Sequence, residues 1–461
     1  MIPLQLTTIA ELTGGALHGP DVLVDGPVVS DSREAQPGSL YVARIGEHAD
    51  GHQYASSAAQ AGAVATLGLR PVAEMPTVVV PDVQEAFAQL ARGVVDRCSD
   101  LQIIGITGSS GKTSTKDMLG HVLEGHGETI SPIGSLNSEV GVPLTVCRVT
   151  GSTRYLVAEM GASGVGHIAY LTRIAPPQIG VVLNVGAAHV GEFGSVEAIA
   201  RTKAELVRAL PQGGVAILNV DDARVAAMAA ETAARVVRVG IGADADLRAI
   251  EVRLDEVGRP SFTVVGRAER AAVRLQLHGA HQVGNALAVI AAARALELPM
   301  DLIVDRLASA RAVSRWRMEV HRLPNDVTLV NDAYNANPQS MAAALRALGQ
   351  MGAGRRTIAV LGEMRELGQM SAEAHQEVGR IVAELGVRQL IVVGDGARGI
   401  ASGAAGSAVH VEQVADVAAA HDLLADRLRP GDVVLLKSSR DSGLRYLGDR
   451  LVTEAGGEVA S

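Results

Sequence analysis

Residues 103–115 read Ile-Ile-Gly-Ile-Thr-Gly-Ser-Ser-Gly-Lys-Thr-Ser-Thr. An apolar β-branched run enters a glycine-rich turn, which delivers a lysine and a run of hydroxyls where a helix should begin. That is the order of a strand, a phosphate loop and a helix, with helical patterning continuing from Lys116 to about Gly125. Gly108, Ser109, Ser110 and Gly111 would wrap backbone N–H groups around phosphate oxygens, and the helix dipole adds to the attraction. Lys112 would lie along the β- and γ-phosphates, Thr113 would offer its hydroxyl to Mg²⁺, and Ser114 extends the polar helix start. The strict motif wants glycine where this chain has Ile106, and the chain offers Gly105 and Gly108 instead. A plain glycine-rich turn would not account for the lysine and hydroxyls that follow.

Other reactive side chains stand at the ends of expected strands. Tyr155–Glu159 ends in a carboxylate, Gln178–Asn184 runs on towards His189, and Val215–Asn219 runs into Asp221 and Asp222. In parallel sheets ligands gather beyond the carboxyl ends of the strands, so these positions and the phosphate loop suggest an Mg²⁺–ATP site. Mg²⁺ favours oxygen ligands, which ranks Thr113 and Glu159 above His189. Residues 219–222 read as a chain turn in preference to a nucleotide contact. Arg315 and Arg317 could reach phosphate or pair with acids. Ser439 and Arg440, after the expected strand Val433–Lys437, suit a carboxylate or phosphate. The segment Ser30-Asp31-Ser32-Arg33 could hold an anionic or sugar-bearing ligand, or be a solvated turn.

The chain has 461 residues, enough for several domains, and is 48% hydrophobic but only 2% aromatic, so its cores must be aliphatic. A net charge of −9 argues against general nucleic-acid binding. Two cysteines give neither a disulfide framework nor metal-ligand spacing, and the N-terminus lacks a signal-peptide pattern. No apolar run reaches the roughly 20 residues of a membrane span. The expectation is a soluble cytoplasmic monomer. Alternating strand and helix patterns predict an α/β protein of three domains. Residues 1–98 form an α/β unit, 99–313 a parallel-sheet ATP-binding domain with an antiparallel addition, and 314–461 a second, Rossmann-like doubly wound unit.

The ordered segments GITGSSGKTSTK (105–116), LNSEVGVP (136–143), AEMG (158–161), NVGAAHVGEFGS (184–195) and TKAE (202–205) resemble the Mur ligases, the ATP-dependent amide-bond synthases of bacterial cell-wall precursors. So do HQVGNALA (281–288), SRWRME (314–319), NDAYNANPQSM (331–341), LGEMRELG (361–368) and VVLLKSSR (433–440), so the resemblance spans the chain. The DAYNANP and ELG segments favour the branch that adds D-alanyl-D-alanine to UDP-N-acetylmuramoyl-tripeptide. Another amino-acid ligase of the family, a folylpolyglutamate synthase-like ligase and a nonenzymatic phosphate-loop scaffold are the alternatives.

The resemblance implies roles that spacing does not. Lys203 would be carbamylated and help organise Mg²⁺, with Glu159 and His189 near the metals and Lys112, Lys203 and His189 in the catalytic set. Asn285, Arg317 and Asp332 would contact ATP, and Ser30, Asp31, Ser32 and Arg33 would receive the UDP-sugar. Tyr334, Asn335, Asn337, Ser439 and Arg440 would lie near the incoming substrates. Two departures stand out: Ala280 replaces the usual arginine of the adenine segment, and Ser438 replaces a glycine of the late loop.

Overall fold

The computed structural model describes residues 1–46, 49–186, 190–267 and 269–456, and the backbone of 458–459. His189, expected near metal, lies outside the described residues.

Three sheets carry the α/β architecture. The first has five strands in the order Ala16–His18, Thr77–Val79, Ala63–Gly68, Ser39–Val42 and Val28–Val29, parallel except at the Ala16–His18 edge. Residues 22–29, apolar enough to suggest one β-run, form two short strands, Leu23–Val24 and Val28–Val29, broken where Pro27 and the close approach of Gly26 to Gly38 interrupt pairing. Helix Val83–Asp96 follows, capped by the Asp82 carboxylate on Glu85 N–H at 3.0 Å. Its apolar stripe, with Phe87, Leu90 and Val94 fully buried, joins a core shared with Val142 and Val146 of the next unit.

The second sheet has nine strands, ordered Arg270–Arg274, Pro260–Val265, Leu247–Leu254, Arg235–Gly240, Val215–Asn219, Ile179–Val182, Gln102–Thr107, Tyr155–Glu159 and Thr129–Ile130. The first two join antiparallel, which is the addition expected from sequence, and the rest run parallel. The alanine-rich pattern of residues 223–235 suggests one helix, which the structure does not bear out. Helix Ala223–Ala227 gives way to a 3-10 turn and then to the strand Arg235–Gly240, because alanines mask a half-exposed strand that pairs beside Val215–Asn219.

The third sheet runs His410–Val414, Gln389–Val393, Thr357–Leu361, Val433–Lys437, Val327–Asn331, Glu319–Leu323 and Glu458–Val459. Its first five strands are parallel and the last two antiparallel. Strands buried on both faces, such as Val433–Lys437, read as unbroken apolar runs. Among the described residues no helix is long and apolar enough to cross a membrane.

Candidate active site

The phosphate loop follows Gln102–Thr107, the strand between Ile179–Val182 and Tyr155–Glu159. Pairing of Glu159 with Ile106 and of Val182 with Thr107 brings the three strand ends level, so their side chains converge. Gly111 has φ +82°, and helix Lys112–Glu124 starts directly after it, four residues earlier than the apolar periodicity suggested. A Cβ on Gly111 would sit 2.7 Å from Asn285 Oδ1, so glycine is required both for the turn and for the approach of Asn285.

The loop is clamped from the neighbouring strand end. Asn184 Oδ1 accepts from Ser110 N–H at 2.9 Å, and Asn184 Nδ2 donates to Ser110 O at 3.1 Å. Ser109 Oγ accepts from Gly186 N–H at 2.8 Å. Lys112 Nζ donates to Gly108 O at 2.8 Å, leaving N–H bonds for phosphate. Burial pushes the Lys112 pKa down, Glu159 opposes that, and Arg317 adds to it.

Glu159 is 2% exposed and held on both oxygens. Thr113 Oγ1 donates to Oε2 at 2.8 Å, while Ser135 Oγ and Asn137 Nδ2 each donate to Oε1 at 2.7 Å. Burial works to raise its pKa, but the Lys112 and Arg317 charges with the Ser135 and Thr113 bonds win, so the carboxyl lies below its ordinary value and is ionised. Ser135 and Asn137 were not assigned from sequence; Asn137 sits inside the 136–143 segment, whereas nothing marked Ser135.

Lys203, on helix Val196–Arg208, is 7% exposed. Burial, and then the Lys112 charge, bring its pKa down to about 7, so much of the amine is neutral near neutrality. Two residues on, Glu205 accepts from Gly166 N–H at 2.7 Å and Ala169 N–H at 2.9 Å, capping helix His167–Ile174.

The third unit closes the site. Arg315 pairs with Asp449 at 2.7 Å, whereas Arg317 lies 4.2 Å over the Tyr334 ring and its buried Nε has no hydrogen-bond partner among the described residues. The two arginines that sequence left equivalent therefore differ. Trp316, at φ +60°, stacks on Tyr334 with ring centroids 6.5 Å apart, and Arg440 approaches the Tyr334 ring at 5.9 Å. Asp332 takes Met318 N–H at 3.0 Å and the buried Lys437 Nζ at 2.6 Å. Asn337 caps helix Pro338–Met351 in a reciprocal box with Ser340, and its Nδ2 reaches Ser109 O at 3.4 Å. Asn335 bonds its own turn through Ala336 N–H. Ser439 Oγ accepts from Arg365 N–H at 2.9 Å. Ser438 is fully buried against Gly362, where a Cβ would meet Ser438 Cβ at 2.8 Å, so the departure from glycine is accommodated there.

These groups border one cavity of about 1270 Å³, more than a single small ligand needs. Lys112, Glu159, Lys203, Asn285, Arg317 and Arg440 all line it, as do Asp332, Tyr334, Asn335 and Asn337. The segment 30–33 and Ser439 are not among its walls. Asp31 caps the 3-10 turn Ser32–Glu34 and pairs with Arg33 at 2.5 Å, a hydrogen bond that draws its pKa down to about 2. Arg33 is 86% exposed. Residues 219–222 turn the chain, with Asp222 capping helix Ala223–Ala227 and Asp221 accepting from Ile241 and Gly242 N–H, but Asn219 and Asp221 also border the cavity.

The donor set fits Mg²⁺ carried by a nucleotide. A buried ionised carboxylate and the Thr113 hydroxyl are hard oxygen donors, and this ion is held by one or two carboxylates plus substrate phosphates.

Family models match as the Mur ligase family catalytic domain over residues 28–95, the Mur ligase middle domain over 106–293 and the Mur ligase glutamate ligase domain over 316–440. The chain is 46% identical to UDP-N-acetylmuramoyl-tripeptide--D-alanyl-D-alanine ligase of Mycobacterium bovis, covering 98% of each. It is 35% identical to the Escherichia coli protein of that name, covering 86% of each. Among solved structures, MurF from Acinetobacter baumannii superposes with a TM-score of 0.88 at 30% identity, covering 98% of this chain and 99% of that one. MurF ligase from Thermotoga maritima, in complex with ADP, gives a TM-score of 0.81 at 28% identity over 94% and 98%. With three matched domains in order and relatives at this identity over nearly the whole chain, the protein belongs to the Mur ligase family.

Proposed function

We propose that this chain joins D-alanyl-D-alanine to UDP-N-acetylmuramoyl-tripeptide at the expense of ATP, giving the UDP-muramoyl-pentapeptide, ADP and phosphate. The observation that carries this reading is the near-full-length similarity to ligases of that name, 46% in the Mycobacterium bovis protein.

The carboxylate that ends the tripeptide attacks the γ-phosphorus of ATP, and the bond to the leaving ADP oxygen breaks. Lys112, at the start of its helix, binds the phosphoryl oxygens, and Gly108–Gly111 hold the phosphates through backbone N–H groups. Asn285 abuts the loop at Gly111 on the nucleotide side. Bound at Thr113 and Glu159, Mg²⁺ would neutralise charge on the phosphates. Lys203 as a carbamate would add an anion at the cavity wall for a second ion, and its neutral amine near pH 7 is the form that reacts with carbon dioxide. The product is an acyl phosphate. The dipeptide amine then adds to its carbonyl, and the tetrahedral intermediate expels phosphate. Arg317 and Arg440 are the cations available to the oxyanion from the third unit. Closing the three units over the site keeps water from the acyl phosphate.

Residues 1–98 serve the UDP-sugar, through the turn 30–33, 99–313 serve ATP, and 314–461 bring nucleotide contacts and the incoming dipeptide. The enzyme works in the cytoplasm, where ATP and nucleotide-linked precursors are found. The test is turnover with UDP-sugar tripeptide labelled with ¹⁸O in its terminal carboxylate. Label should pass to inorganic phosphate only when D-alanyl-D-alanine is present and amide forms. Phosphate release indifferent to the dipeptide, or free of label, would refute the assignment.

A further inference from the structure

Two segments singled out in the sequence, 184–195 and 361–368, enter the account above through the clamp at Asn184 and Gly186, the expected role of His189 and the bond from Arg365 N–H, but not through each other. In the structure they meet. Helix Val190–Phe193 of the middle unit abuts the turn at 366–368 of the third, and Gly191 N–H donates to Glu366 O at 2.9 Å. A Cβ on Gly191 would lie 2.6 Å from Gly368 N and 2.9 Å from Glu366 O, and one on Gly368 would lie 2.8 Å from Gly191 Cα. These neighbours are backbone atoms, which cannot step aside as a side-chain tip can.

The two glycines are needed for different reasons. Gly368 has φ +55° and Glu366 φ +66°, so that turn demands a left-handed backbone of its own. Gly191 does not have a positive φ. The three atoms nearest to a Cβ there all belong to the third unit. Val190 and Leu367, 6% and 2% exposed, bury apolar surface beside the contact. The same seating brings Asn337 to Ser109 O and places Arg317 and Arg440 on the cavity that Lys112 also lines.

We infer that Gly191 is a positioning residue: a bare backbone seat for the 366–368 turn that fixes how closely the third unit approaches the phosphate loop. The inference rests on the ligase reading, since what it positions are the cations serving phosphoryl transfer and amide formation. A methyl group at 191 holds the third unit off, so the arginines fall short of the reacting oxygens while the sugar-nucleotide side of the cavity is untouched.

Gly191→Ala is compared with Gly213→Ala, an exposed turn position where an added Cβ meets nothing within 4 Å. Gly191→Ala should lower kcat at least about tenfold and raise KM for ATP, while calorimetric affinity for UDP-sugar tripeptide stays within about twofold of wild type. Small-angle scattering should show that it fails to contract as wild type does with a nonhydrolysable ATP analogue plus tripeptide. Gly213→Ala should behave as wild type. Wild-type contraction together with wild-type kcat in Gly191→Ala overturns the inference. Should that variant not fold, hydrogen exchange in the wild-type protein decides: the Gly191 amide should be protected at least about tenfold more with both ligands bound, and unchanged exchange overturns the inference. A failure of the ligase reading would look different, since wild type itself would then show no dipeptide-dependent turnover.

Discussion

Replacing Glu159 by glutamine separates the folding role of this buried carboxylate from its chemical one. Its three donors are Thr113, Ser135 and Asn137, at 2.8, 2.7 and 2.7 Å. A glutamine carbonyl can keep the Ser135 and Asn137 bonds, and its amide can donate to the Thr113 hydroxyl, which turns to accept. Every group stays paired, but three charge-assisted bonds become neutral ones, while the burial cost of the charge disappears. The balance is about 1 kcal/mol of stability, a shift of about 1 °C in Tm for a chain this long. Chemistry suffers far more. The site loses an anionic oxygen donor beside the phosphate loop, and the Lys112 ammonium loses the opposing charge that supports it against burial. Removing one well-placed electrostatic stabiliser typically costs about 10²–10³ in turnover, about 3–4 kcal/mol. The assay is dipeptide-dependent ADP release across an Mg²⁺ titration, with the melting temperature measured on the same samples. Turnover within about fivefold of wild type at saturating Mg²⁺ would refute the reasoning, as would a loss fully explained by unfolding.

Arg317→Ala should raise KM for ATP and lessen ligand-induced closure together, because its guanidinium borders the cavity and its buried Nε has no hydrogen-bond partner among the described residues; undiminished contraction in small-angle scattering would reject that link. In ¹³C-bicarbonate, a carbamate resonance should appear in wild type and be missing from Lys203→Ala. With a pKa of about 7 the free amine predominates above that pH and is protonated below it, so the resonance should weaken as pH falls through 7, and a signal indifferent to Lys203 would count against the assignment. Burial pushes the Cys147 thiol up to about 12, so at pH 8 iodoacetamide should label the half-buried Cys98 in the native protein and spare Cys147 until urea is added.

The buried parallel strands were the most legible part of the fold. Tyr155–Glu159, Val215–Asn219 and Val433–Lys437 occur where their apolar runs placed them. Ala63–Gly68 and Arg235–Gly240 escaped, the first because alanine and glycine dilute it and the second because one face meets water. At the site, Lys112, Thr113 and Glu159 could be found because strand ends concentrate chemistry. Ser135 could not, since it acts from a loop whose position follows from tertiary packing. The contrast between Arg315 and Arg317 depends on which one meets Asp449, 134 residues away, and local pattern carries no trace of that.

The chain owns one tryptophan, six tyrosines and three phenylalanines, and its single indole leans on the ring beneath Arg317. Indole emission therefore comes from one known place, against the Tyr334 ring that borders the cavity, with no background to subtract from elsewhere. Movements of the third unit around that ring can be timed by stopped-flow emission in the unlabelled enzyme.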